Sequence, residues 1–122
     1  MRKAVFLLSV LFTLSSFITE NPKVKQIPLN APSTNGHNSS QVDIPADMPD
    51  VYYDSQNGVI TIVDYANVTY YVTIYDDWWN TALSATLVGG GTISASSLSS
   101  GDYVIEITTS WNNQYEGEFT VP

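Results

Sequence analysis

The sequence contains no cysteine, a single histidine and very few basic residues. The absence of cysteine excludes a disulfide framework and thiolate metal sites. It also removes the thiol nucleophile, and the only histidine, His37, lies in a polar stretch of the chain, where a histidine is ordinarily solvated. The composition therefore predicts that the protein is not an enzyme, and we assign no catalytic residue and no cofactor.

The basic residues number 4 against 12 acidic residues, which gives a formal net charge of -8. All of the basic residues lie within the first 25 positions. Binding of nucleic acid through counterion release needs clusters of Lys and Arg, and anionic lipid surfaces attract the same residues. The charge distribution therefore excludes nucleic acid as a partner and disfavours a membrane surface.

Two of the basic residues precede a mostly apolar run at the N terminus. Arg2 and Lys3 stand before residues 4–14, which is the order of a secretory signal peptide. The run is shorter than the roughly 20 residues of a membrane-spanning helix. We therefore expect a signal peptide over residues 1–19, with a retained N-terminal anchor as the alternative. The protein is then exported, to the periplasm or the cell surface, without membrane insertion after signal removal.

The next segment, residues 20–48, is rich in proline and polar residues and lacks apolar periodicity. Such a composition cannot bury enough apolar surface to fold by itself. It predicts an extended, largely flexible arm, with at most one short strand attached to the domain that follows.

From Pro49 onward, apolar residues recur with a period of two, which is typical of half-buried β-strands. The clearest alternation places four residues on one face of the third strand: Val68, Tyr70, Val72 and Ile74. Turn residues such as Asn57-Gly58 separate the strands, and no segment has a helical pattern. Residues 49–122 therefore predict an all-β fold, a seven-stranded antiparallel immunoglobulin- or fibronectin-III-like β-sandwich.

Tyr103 opens the sixth predicted strand after a loop that includes Leu98. In immunoglobulin-type sandwiches a tyrosine at this position donates its hydroxyl to backbone upstream, an arrangement known as the tyrosine corner. We predict that Tyr103 forms such a corner, and the alternative is a plain core aromatic.

Several short motifs match a known group of proteins. They are the basic signal, Ile27-Pro28-Leu29, the strand Val68-Thr69-x-x-Val72-Thr73-Ile74-Tyr75-Asp76, the run Leu98-x-x-Gly101-Asp102-Tyr103-Val104-Ile105-Glu106-Ile107 and the ending Gly117-Glu118-Phe119-Thr120-Val121. Together they resemble the small exported DUF3244 proteins of gut Bacteroidetes, whose molecular role is not established. The resemblance implies an immunoglobulin- or fibronectin-like sandwich and supplies no catalytic residues.

Three glutamates fall on the outward face of the last two predicted strands. Because both strands turn alternate residues inward, Glu106 must lie opposite Glu116 or Glu118, and the third acid must lie diagonally. A solvated face is the preferred interpretation. A Ca²⁺ site is a weaker candidate, since calcium needs more oxygens than three glutamates supply. A glycosidase acid pair is weaker still, because an open face does not raise the pKa of a general acid.

Four aromatic side chains are the best candidates for a binding surface, which we call the aromatic patch: Tyr71, Tyr75, Trp78 and Trp79. The tyrosines project from the third strand away from the core, and the tryptophans follow in a loop beside Asp76 and Asp77. Aromatic rings next to carboxylates suit stacking on sugars, or contact with a protein, where Trp and Tyr are enriched. The alternative is that at least one tryptophan covers the end of the core.

These observations predict a small acidic exported binding module that contacts a glycan or an envelope protein through the aromatic patch. The alternative is a structural or accessory subunit whose free sheet edges pair with another protein. The sequence does not predict an oligomeric state.

Overall fold

The computed structural model describes residues 23–31 and 44–122, and within them it contains eight β-strands and no helix. The strands are β1 (Val24–Ile27), β2 (Asp50–Asp54), β3 (Val59–Val63), β4 (Thr69–Tyr75), β5 (Thr81–Val88), β6 (Gly91–Ser94), β7 (Gly101–Thr109) and β8 (Gln114–Val121). No helix in these ranges is therefore long and apolar enough to span a membrane. The predicted signal peptide, residues 1–19, and His37 lie outside the described residues.

The strands form two four-stranded antiparallel sheets. The first sheet has the order β1-β2-β3-β6 and the second has the order β5-β4-β7-β8. This arrangement confirms the predicted all-β antiparallel sandwich. There are eight strands rather than seven because β1 pairs with β2 along the edge of the first sheet. β1 is the one short attached strand expected within the arm.

The core lies between the sheets and follows the predicted two-residue alternation. On β4 the inward side chains of Tyr70, Val72 and Ile74 are buried, and on β7 those of Ile105 and Ile107 are buried as well. Full burial of a large apolar side chain stabilises a fold by roughly 1.5–3 kcal/mol. The repeated alternation therefore fixes which face of each strand points inward, and with it which face is left for function.

Two local predictions are confirmed by hydrogen bonds. The backbone N–H groups of Gln56 and Asn57 donate to the Asp54 carboxylate, and Gly58 adopts a φ of 67° where the β2–β3 turn reverses the chain. The Tyr103 hydroxyl donates to the Ser99 carbonyl oxygen at 2.7 Å, which is the tyrosine corner. The loop before β7 is thereby held against the core.

The segment that follows β1 crosses from the first sheet to the second. Asn30 and Glu116 exchange two backbone hydrogen bonds of 2.9 Å, and the Ile27 side chain is buried in the core. Gly117 lies directly beneath this crossing, where a Cβ atom would come within 2.7 Å of both Ile27 Cγ2 and the Pro28 carbonyl oxygen. The glycine is therefore required by the close approach of the two chain segments.

A buried carboxylate anchors the segment before β2. Asp47 is 1% exposed and accepts hydrogen bonds from Thr109 Oγ1, Asn113 Nδ2 and the Tyr115 hydroxyl. Burial of a charge without partners is costly, and these three donors offset that cost. Asp47, assigned to the arm by its sequence context, is thus an integral part of the sandwich.

Candidate functional site

The β4–β5 loop is shaped by Asp76. Its Oδ1 atom accepts the backbone N–H groups of Trp78 and Asn80, each at 2.9 Å. Its backbone carbonyl accepts the N–H of Trp79 at 3.0 Å. The hydrogen bond from the Asn80 backbone, followed by that from Trp78, lowers the pKa of the Asp76 carboxyl, so the group is ionised at neutral pH.

The same loop holds Trp79 in an unusual backbone conformation. Its φ is 63°, in the left-handed region that bulky residues rarely adopt. Trp78 and Trp79 are 81% and 63% exposed, so neither covers the core, and the alternative that one of them does so is wrong. Left-handed bulky residues persist only where the surroundings fix them, and here the Asp76 hydrogen bonds do so.

Trp79 rests on the outer face of the second sheet. Its ring and that of Tyr75 have centroids 5.5 Å apart and planes inclined by 53°. The Tyr75 hydroxyl in turn donates to Glu106 Oε1 at 3.2 Å, and the negative charge of Glu106 raises the Tyr75 pKa. Tyr75 therefore packs against one side of the Trp79 indole, and the other side of the indole is open to solvent.

The indole separates two adjoining open depressions, which together we call the Trp79 groove. Their volumes are about 540 and 450 Å³, and both are lined by Trp79, Val104 and Glu118. The first depression extends to Pro28 and Asn30 of the crossing segment. The groove thus runs from the end of the β4–β5 loop, across β7 and β8, to the segment after β1.

Carboxylates dominate the polar lining of the groove. They come from the loop, from the start of β7 and from β8: Asp76, Asp77, Asp102, Glu116 and Glu118. Among them, Asp102 accepts a hydrogen bond from the Thr120 hydroxyl at 2.7 Å. The sequence has no Lys or Arg after Lys25, so no basic side chain of residues 44–122 lies among them. The groove combines one exposed aromatic surface with many hydrogen-bond acceptors.

Only part of the predicted aromatic patch belongs to the groove. Trp79 lines the groove with Asp76 and Asp77, and Tyr75 supports it. Tyr71 is half exposed and lies opposite Thr108 and Thr86, and neither it nor Trp78 lines either depression. The patch is therefore one supported indole with two exposed aromatic neighbours in the chain, rather than a continuous platform.

The glutamates occupy the predicted register. Glu106 lies opposite Glu116, and Glu118 lies opposite Val104. Glu106 accepts hydrogen bonds from Tyr75 and from the Gln114 amide, whereas Glu116 and Glu118 line the groove. Among residues 23–31 and 44–122, no three His, Cys, Asp or Glu side chains are grouped so as to hold a metal ion. The three glutamates share a face without forming a calcium-ligand cluster.

Sequence reasoning missed several residues of the groove. Asp102 and Val104 reach it from β7, and Pro28 and Asn30 reach it from the crossing segment. The outward alternation of β7 placed Val104 on this face, but no periodic signal showed that the loop would turn Trp79 over it. The approach of Pro28 and Asn30 depends on a single backbone bridge.

Comparisons with known proteins bear on the fold. No protein-family model matches the sequence, and no curated protein matches it. Among solved structures, the chain is similar to a DUF3244 family protein from Bacteroides vulgatus with an immunoglobulin-like β-sandwich fold, at a TM-score of 0.61 and 17% identity. The match covers 80% of this chain and 97% of that chain. It confirms the immunoglobulin-like sandwich and agrees with the resemblance noted in the sequence.

Proposed function

We propose that the protein is an exported binding module that holds a glycan in the Trp79 groove. The observation that carries the proposal is the 63% exposed indole of Trp79, supported by Tyr75 and fixed by a loop whose backbone bonds to Asp76. An exposed, rigid aromatic ring loses little conformational freedom when a ligand stacks on it. Such pre-organisation is characteristic of a recognition surface.

The chemistry of the groove suits a sugar. The apolar face of a pyranose ring packs on an aromatic surface, and its hydroxyl groups donate hydrogen bonds to acceptors around the ring. Trp79 offers the surface, and Asp77 and Glu118 offer carboxylate oxygens in the same depression. Charge-assisted hydrogen bonds of this kind are stronger than neutral ones.

Binding without turnover fits the residues of the groove better than catalysis. The lining contains no histidine or cysteine and no serine. Closing an active site expels water from around the reacting groups, whereas Glu118 is exposed and the depressions are open. We therefore propose a lectin-like role for the groove and no hydrolytic one.

The proposal is tested by glycan-array screening followed by calorimetry on the best ligand. Trp79→Ala should weaken binding by about tenfold or more, since aromatic stacking contributes roughly 1–3 kcal/mol. The matched control is Trp111→Ala, because Trp111 is 53% exposed but lies in the β7–β8 turn and lines neither depression. Equal affinity of wild type and Trp79→Ala would remove the groove as the binding site.

A second candidate function, strand pairing with an envelope protein, is favoured by the edge of the second sheet. Within the described residues, β5 lies at the end of this sheet and pairs with β4 alone. Natural proteins usually block edge pairing with charged residues or proline on the edge strand. The eight residues of β5 include neither. An extended segment of another chain could add to this edge by backbone hydrogen bonds.

The edge function is tested by chemical crosslinking in envelope extract. Ser84→Lys places a charge on the exposed part of β5 and should abolish a specific crosslinked complex, whereas Trp79→Ala should leave it intact. A complex that survives Ser84→Lys and disappears in Trp79→Ala would instead locate a protein partner in the groove.

A further inference from the structure

We infer, on the basis of the proposed function, that the Trp79 groove selects glycans by charge. It rejects sugars that carry carboxylate or sulfate groups, and it binds amine-bearing sugars more tightly than their neutral counterparts. The inference names the class of ligand for the site and rests on the distribution of charge around the indole.

The acidic lining surrounds the indole from three structural elements. Asp77 belongs to the β4–β5 loop, Asp102 to the start of β7, and Glu116 and Glu118 to β8. A ligand stacked on Trp79 therefore has carboxylates on more than one side, and it cannot turn an anionic substituent away from all of them. The arrangement differs from a row of acids along one edge, which a ligand could avoid.

Within the part of the chain that the structure describes, no basic side chain lines the groove. Lys23 and Lys25 are the basic residues that the structure describes; both are exposed at or next to β1 in the first sheet, and neither lines the groove. Asp76 is held ionised by the Asn80 and Trp78 backbone groups, which lower its pKa. An anionic ligand in the groove would be surrounded by lining residues whose charges are also negative, so it would be repelled.

The indole strengthens the same preference. The face of an aromatic ring carries negative potential, so a cation near the ring is attracted and an anion is repelled. An ammonium group on a sugar stacked against Trp79 would meet both the ring and the carboxylates. Attraction among exposed charges decreases with salt, because the Debye length falls from about 30 Å at 0.01 M to about 8 Å at 0.15 M ionic strength.

The test uses two matched pairs of oligosaccharides in calorimetry with the full domain. Oligogalacturonates and the α-1,4-galactan oligomers obtained by reducing their carboxyl groups share one linkage and differ in a carboxylate or an alcohol at C6. Chitin and chitosan oligomers differ in an acetamide or an amine at C2. At 10 mM salt we expect the oligogalacturonate to bind about tenfold or more weakly than the galactan oligomer, and chitosan to bind about tenfold or more tightly than chitin. Both ratios should shrink at 150 mM salt.

Two variants locate the effect. Glu118→Gln removes one groove charge and should reduce both ratios several-fold. Asp50→Asn is the control, since Asp50 lies on β2 in the other sheet and its loss changes the net charge equally. If Asp50→Asn reduced the ratios as much as Glu118→Gln, the preference would come from overall charge and the inference would be wrong.

The outcomes separate the inference from the proposed function. Neutral sugars that bind through Trp79, with oligogalacturonate bound equally well, would overturn the charge selection and leave the glycan function in place. Chitosan binding that is undiminished in Trp79→Ala would show charge attraction outside the groove and would also overturn the inference. Absence of binding by every oligosaccharide would remove the proposed function, and the inference with it.

Discussion

The molecule uses carboxylates in two contrasting ways. Asp47, in the interior, has three side-chain donors directed at its oxygens and is almost fully buried. Glu118, in the Trp79 groove, is exposed and has no side-chain donor among the described residues. The acidic residues of the chain therefore have two different roles. Some hold segments of the fold together through hydrogen bonds, and others are accessible from solvent.

The buried Asp47 and the partly buried Asp64 both have a lowered pKa and stay ionised at neutral pH. Burial alone would raise the pKa of Asp47, but the hydrogen bonds from Thr109, Tyr115 and Asn113 outweigh it and lower the pKa. Asp64 has the same pattern, since burial is opposed by the Tyr70 hydroxyl and by backbone N–H groups, with a lowered pKa as the result. In both places the fold has built donors around a negative charge.

The largest expected effect is loss of the Asp47 carboxylate. Asp47→Ala leaves the Thr109, Asn113 and Tyr115 donors without their acceptor. Thr109 and Tyr115 are buried, and each buried unsatisfied group costs about 1–3 kcal/mol. We expect the free energy of unfolding, measured by urea denaturation, to fall by at least about 3 kcal/mol. Glu118→Gln should change it by less than about 0.5 kcal/mol. Similar effects of the two substitutions would break the distinction between structural and accessible acids.

The next effect concerns the position where core and groove meet. Gly117 lines the first depression, and its inner side contacts Ile27 and Pro28. Gly117→Ala introduces an overpacked methyl group, which should lower the free energy of unfolding by about 1–3 kcal/mol. Ile27→Ala removes the contacted side chain, so the double variant should be less destabilised than the sum of the two single variants. If the two effects were additive, the destabilisation by Gly117→Ala would not come from contact with the Ile27 side chain.

A smaller effect is the dependence of stability on pH. Because the pKa values of Asp47 and Asp64 are lowered from 3.8 in the folded state, the unfolded chain binds more protons below that pH. The stabilisation from both acids is therefore present above pH 3.8 and is lost as the pH falls through the folded pKa values. Thermal melts of Asp47→Asn should show a shallower decline in acid than wild type. An unchanged slope would show that Asp47 is not one of the groups responsible.

The smallest effect is expected at the indole itself. Trp79 contacts Tyr75 on one side and solvent on the other, so Trp79→Ala should change the free energy of unfolding by less than about 0.5 kcal/mol. The same variant should bind the glycan about tenfold or more weakly, as proposed above. A large loss of stability would mean that Trp79 serves packing, and the binding measurement would then need Trp79→Phe, which keeps an aromatic contact with Tyr75.

The sequence predicted the parts of the structure that periodicity controls. The alternation in β4, β7 and β8 identified the inward residues and limited the partner of Glu106 to Glu116 or Glu118, of which the structure has Glu116. The loop motif before β7 predicted the position of Tyr103 in its corner. Each of these follows from the two-residue repeat of a strand or from a short local motif.

The site depends on features without a period. The direction of Trp79 follows from a left-handed backbone angle and two hydrogen bonds to Asp76. The participation of Asp47 depends on donors more than 60 positions away in the chain. Sequence spacing carries no information about such long-range partners. For the aromatic patch it predicted which residues belong together, but it did not predict how their side chains are arranged.

The backbone bridge between Asn30 and Glu116 has a consequence for cleavage of the chain. Because β1 pairs with the first sheet and the following residues pair with the second, a cut after Val24 separates residues that link the two sheets. A chain shortened to begin at residue 49 would lose one strand and the Pro28–Asn30 wall of the Trp79 groove. A protease that cuts between Ile27 and Asn30 would therefore detach β1 from the segment that forms this wall of the Trp79 groove.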